Sequence, residues 1–181
     1  MGHKGESDAR HATTDASYEL AEKVVRHACS QGLTIACAES CTGGLVAAAL
    51  TDVPGSSAAV MGGVVSYAVS VKERVLGVPL AITRDPEGGV VSEACARAMA
   101  EGTRRALDAD IGVSTTGIAG PGGAEPGKPV GTVCFAVCSP VGARTCTCVF
   151  EGSRADVREA ACQHALKLVS EELTRIGTPD C

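Results

Sequence analysis

Aromatic residues are almost missing from this 181-residue chain, which has two Tyr, two Phe and no Trp. Platforms on which nucleobases could stack are therefore scarce. Clustered positive charge is missing too: the formal charge is -5, and no run of Lys and Arg is dense enough to replace phosphate counterions. General nucleic-acid binding is excluded on that ground. No apolar run reaches the ~20 residues needed to cross a bilayer, and no charged-then-apolar leader opens the sequence. The expected location is the cytoplasm, with no membrane partner. If the ligand is a nucleotide, backbone amides and a few individual cations must hold it.

Cysteine and glycine, by contrast, are plentiful, at 10 and 22 residues. Ten cysteines suggest a disulfide framework, but the absence of an export signal argues against one. Spacing gives no support for a metal either. Cys134/Cys138 and Cys146/Cys148 lie in strand-like runs, neither pair is a CxxC, and His3, His11, His27 and His164 have no ligand-spaced partner. The cysteines read as small buried hydrophobes or idle thiols, with no metal and no cofactor expected.

The length suits one core and one domain. Residues 1–14 are polar without periodicity and read as a mobile tail, leaving 15–177 as the domain. Leu20, Val24 and Ala28 mark a first amphipathic helix that Gly32 closes, and LTIACA (33–38) follows as a buried strand. LVAAALTDV suits a helix packed tightly on a sheet, and VMGGVVSYAV (60–69) suits a second strand, with a short helix or turn starting at Lys72. The stretch from Pro79 to Gly89 reads as a loop. A helix is expected from Ser92 to about Leu107, a strand at IGVSTTG, and a shaped loop over the Gly- and Pro-rich 117–131. TVCFAVCS and ARTCTCVF form a hairpin through Pro140-Val141-Gly142. A last helix runs from Ser153 to about Ile176, with Ser153 and Asp156 as a capping box with a shortened acid. Helices interleaved with single strands, then a late hairpin, predict an α/β fold: a three-layer α/β/α sandwich with a mixed, mainly parallel sheet.

Three loops at strand ends carry unusual residues, where ligands collect in such sheets. AESCTGG (38–44) would project Ser40 at a strand-to-helix turn, with glycine amides beside it; the plainer reading is that Ser40 or Thr42 caps a helix. SYAVSVK places Tyr67 and Lys72 across a strand end. A partly buried lysine can act as base where no histidine is at hand, although a surface lysine beside an edge tyrosine is the commoner arrangement. TTGIAGPGG could present amides and Thr115 or Thr116 to an anion, or be only a tight crossing; it matches neither a Walker A loop nor a dinucleotide fingerprint. Cys41, next to Ser40, is a rival nucleophile that would need its own activating neighbour.

In their joint order, AESCTGG, GGVVSYAVSVKERVLGV, GGVVSEACARAMAEG, TTGIAGPGG, KPVGTV and FEGSRADVR resemble the CinA C-terminal domain family, over roughly residues 18–175 and in its stand-alone form. The resemblance implies a cofactor-free amidohydrolase that converts nicotinamide mononucleotide and water to nicotinate mononucleotide and ammonia. It implies Ser40 as nucleophile, Lys72 as general base, Tyr67 as an assisting hydroxyl and Arg154 as a site arginine. Thr42, Gly43, Gly44, Thr115, Thr116, Gly117 and Arg154 are the expected substrate-binding residues, with the amides of Thr42 to Gly44 as oxyanion donors. The rival reading is a silent module that binds pyridine nucleotides or serves an interaction linked to competence or DNA damage. Self-association into a homo-oligomer is left open by both.

Overall fold

The structure, a computed structural model, describes residues 14–177. Nearly all of the segment read as a mobile tail lies outside the described residues. Its last member, Thr14, caps the first helix by accepting from the amide of Ser17 at 3.3 Å. That helix, α1 (Asp15–Gln31), ends on Gly32, whose φ of 66° is the left-handed turn glycine adopts readily. Then follow β1 (Ile35–Glu39), α2 (Leu45–Thr51), β2 (Val60–Val65), α3 (Val69–Leu76), α4 (Leu80–Thr83) and α5 (Glu93–Ala106). β3 (Ile111–Gly117), β4 (Thr132–Ser139), β5 (Gly142–Val149) and α6 (Arg154–Gly177) complete the chain.

The sheet runs β2-β1-β3-β4-β5. β1 pairs parallel with β2 and β3, β4 lies antiparallel to β3, and β5 antiparallel to β4, so only β4 opposes the common direction. Period-two alternation sorts the central strands onto two faces. Ile35, Cys37, Ile111, Val113, Val133, Phe135 and Val137 face α1, α2 and α6. Cys134, Ala136 and Cys138 face α5 with Ala96 and Ala100, while Ala38 packs with Met99 and Leu76. Small residues on the second face let α5 approach closely: a Cβ on Gly112 would stand 2.2 Å from the carbonyl oxygen of Ala100. The three layers match the expected sandwich.

Two local expectations change. The second strand stops at Val65, and α3 already begins at Val69, so Lys72 sits within a helix rather than beyond a strand end. The apolar run VVSYAVSV has no breaker at the switch, which is why the sequence conceals it. Within the expected loop after Pro79, residues Leu80–Thr83 make one helical turn, started by the proline at its cap. The Ser153 and Asp156 box forms as expected, with the Ser153 amide donating to Asp156 Oδ2 at 2.8 Å.

Candidate active site

β1, β2 and β3 end side by side, and their C-terminal loops bring the chemistry together. Ser40 follows β1 directly, and its amide donates to the carbonyl of Thr115 on β3 at 2.9 Å. The turn behind it needs two glycines with positive φ, Gly43 at 64° and Gly44 at 102°. Glu39, 1% exposed, holds that turn in shape. Its Oε2 accepts from Thr42 Oγ1 (2.7 Å) and the amides of Gly44 (2.9 Å) and Val46 (3.2 Å), and its Oε1 from the amide of Ala47 (2.8 Å). A carboxylate thus occupies the first turn of α2, where the sequence suggested room for an anion.

Lys72 lies on the buried face of α3, 2% exposed. Its Nζ donates to Ser40 Oγ at 2.9 Å and to the Ser66 carbonyl. Ser66 is itself tied to β1, its amide donating to the Glu39 carbonyl at 2.7 Å. No carboxylate among the described residues forms an ion pair with Lys72. Burial holds its pKa below the ordinary lysine value, with the Cys95 and Cys41 thiols opposing that shift. The geometry therefore joins an alcohol to an amine biased toward its neutral form.

The other expected residues fare differently. Tyr67, 64% exposed, receives a hydrogen bond from Arg154 Nη2 at 3.3 Å, and neither Ser40 nor Lys72 is a partner of its hydroxyl. Arg154 also donates through Nη1 to the Gly120 carbonyl at 2.8 Å, joining the start of α6 to the glycine-rich loop. Thr42 and Thr115 turn their hydroxyls to each other at 2.7 Å. Thr116 is buried and donates to the Val90 carbonyl at 2.6 Å, so its hydroxyl is spent away from Ser40. Gly117 is packed against β4, where a Cβ would meet the Thr132 carbonyl oxygen at 2.5 Å. The amides of Gly43 and Gly44 are taken by the Ser40 carbonyl and Glu39, so two of the three expected oxyanion donors are engaged internally. Burial pushes the Cys41 thiol up to about 11, which leaves it a poor rival to Ser40.

Residues 17–173 match the family model of the CinA C-terminal domain. The chain belongs to the CinA family. The CinA-like protein of Anaeromyxobacter dehalogenans is 51% identical over 83% of this chain, and that of Mycolicibacterium gilvum 51% over 81%. The chain spans only about a third of the length of these relatives, 36% and 34%. Among solved structures, the competence/damage inducible protein CihA from Agrobacterium tumefaciens superposes with a TM-score of 0.84 at 36% identity, covering 90% of this chain and 98% of that one. A CinA superfamily protein from Klebsiella pneumoniae gives 0.83 at 34% identity, covering 88% and 98%.

Three supports of this CinA site had no clear signal in the sequence. Glu39 was hidden by its place inside a buried strand, though a carboxylate before Ser-x-Thr-Gly-Gly is a capping pattern. Arg158, one turn after Arg154, donates Nη2 to the Thr42 carbonyl at 2.8 Å and braces the nucleophile turn from α6. Ser66 receives Lys72 on its backbone carbonyl, while its amide and its hydroxyl both donate to the Glu39 carbonyl. A cavity of about 440 Å³ lined by Glu101, Arg104, Arg105, Asp108, Ala109 and Cys138 sits at the opposite end of the strands, away from this chemistry. No helix among the described residues is long and apolar enough to cross a membrane.

Sequence spacing gave His164 no ligand-spaced partner; in the fold, α6 brings its ring beside Cys146 and Cys148 of β5. The nine described cysteines are free thiols.

Proposed function

We propose that this CinA-domain protein is a serine amidohydrolase that converts nicotinamide mononucleotide and water to nicotinate mononucleotide and ammonia. One observation carries the reading: a buried amine, Lys72 Nζ, with no carboxylate partner among the described residues, stands 2.9 Å from Ser40 Oγ. Neutral Lys72 takes the proton of Ser40 as Oγ bonds to the carboxamide carbon, and the carbonyl becomes an oxyanion. The ammonium so formed returns its proton to the departing nitrogen as the carbon–nitrogen bond breaks, which releases ammonia and leaves an ester on Ser40. Water, deprotonated by the same amine, then attacks the ester, and Ser40 recovers its proton. The Ser66 carbonyl keeps Lys72 aimed throughout, and the lysine's developing charge offsets that of the oxyanion.

The substrate assignment rests on the family resemblance and on the cations nearby. Arg154 spends two donors on Gly120 and Tyr67 and retains others in its planar fork, which suits a phosphate. Ammonia release from nicotinamide mononucleotide tests the proposal. Ser40→Ala and Lys72→Met should each lower kcat by about a thousandfold or more. Free nicotinamide, lacking a phosphate, should not be cleaved. Tight binding of the mononucleotide without turnover by the wild type would leave a binding module instead.

A further inference from the structure

Cys146 and Cys148 alternate on β5, so both side chains emerge on the sheet face that α6 covers. His164 reaches them from the middle of α6. Its Nε2 lies 3.4 Å from Cys146 Sγ and 3.7 Å from Cys148 Sγ, and the three ligand atoms fall within 4.8 Å of one another. Among the described residues these two sulfurs are the only polar partners of the imidazole, and thiols are weak ones. The ring is kept in place by Phe135, at 4.6 Å between centroids, and by Phe150 at 6.2 Å.

We infer that Cys146, Cys148 and His164 form a binding site for a thiophilic divalent cation, with Zn2+ as the ion that fits. Around tetrahedral zinc, bonds of about 2.3 Å to sulfur and about 2.0–2.1 Å to nitrogen put S and N about 3.6 Å apart. The two observed separations bracket that value. Thiolate and imidazole donors select zinc or another soft ion over Mg2+ or Ca2+. Both cysteines, on the edge strand of the sheet, and His164, on α6, are only partly buried, so an ion can enter and the fourth position is open to water. The ion would pin α6 to β5. α6 also carries Arg154 and Arg158, so the site would hold the same helix that braces the nucleophile turn while taking no part in the reaction.

The test uses the full chain, fully reduced and stripped of metal by a chelator, titrated with Co2+ and then Zn2+. One equivalent of Co2+ should bring sulfur-to-cobalt charge-transfer absorption and tetrahedral d–d bands, and Zn2+ should displace both. Cys146→Ser, Cys148→Ser and His164→Gln should each weaken Zn2+ binding by at least about tenfold, while Cys29→Ser, at an exposed thiol, should not. In the wild type, Zn2+ should protect Cys146 and Cys148 from alkylation and raise the unfolding temperature, a readout that needs no variant. Absence of charge-transfer absorption in the wild type, or alkylation of both thiols unchanged by Zn2+, would overturn the assignment. Neither result bears on ammonia release, so the site and the amidase reading fail separately.

Discussion

Glu39→Gln is the substitution whose consequences the geometry defines best. The carboxylate accepts four bonds, three at Oε2 and one at Oε1, and is buried. Glutamine has one carbonyl oxygen. Placed toward Thr42, Gly44 and Val46, it keeps three bonds but forfeits the charge that strengthens each by roughly 1 kcal/mol. Its NH2 then points at the Ala47 amide, donor against donor, and leaving that half-buried group unpaired costs about 1–3 kcal/mol. Allowing for relaxation, the loss should be about 4 kcal/mol, a large part of the roughly 5–15 kcal/mol typical of a domain. For a chain of this length that lowers the unfolding temperature by on the order of 10 °C. Urea unfolding, followed by far-UV circular dichroism and by calorimetry, would measure it. A loss under about 1 kcal/mol would refute the claim that this carboxylate shapes the nucleophile turn.

Other expectations follow from the same contacts. Burial lowers the folded pKa of Lys72, so between that value and the unfolded lysine value of about 10.4 the unfolded chain binds more protons. Stability should therefore rise with pH through that window, and urea midpoints of Lys72→Met should lack the slope. For the same reason kcat/KM should increase with pH along a limb that lies below the ordinary lysine range, measured by ammonia release; a flat profile would count against a lysine base. Tyr67→Phe should raise KM with kcat within about threefold, because the hydroxyl meets Arg154 and not the reacting pair; steady-state kinetics that put the whole loss in kcat would restore a proton relay. Gly112→Ala should cost about 3 kcal/mol or more in urea unfolding, since its Cβ would stand 2.2 Å from a backbone oxygen of α5.

Much of the architecture was legible because local signals agreed with tertiary need. Gly32, Ser92 and the Ser153/Asp156 box mark helix ends by chemistry confined to a few neighbours, and each does so in the structure. The β-rich run TVCFAVCS likewise marked β4 as a strand, and it is buried along its whole length. The β2-to-α3 switch was not legible, since valines and small residues continue across it without a breaker. Which polar groups face the site was equally hidden. Thr115 and Thr116 are adjacent in a strand, so their side chains leave on opposite faces, and only the packing of the segment before α5 decides that Thr116 bonds Val90. His164 meets Cys146 and Cys148 because α6 packs on the sheet face from which both thiols emerge, a contact between residues 16 to 18 apart that no spacing rule within one element anticipates.

The ester on Ser40 is the species on which the account stands. Enzyme mixed with nicotinamide mononucleotide, quenched in acid within one turnover and digested, should give the Ser40 peptide heavier by the nicotinate mononucleotide acyl group. That mass should vanish in Ser40→Ala and fail to accumulate in Lys72→Met. Ammonia released at the wild-type rate by Ser40→Ala, or an adduct found on Cys41 in place of Ser40, would contradict it.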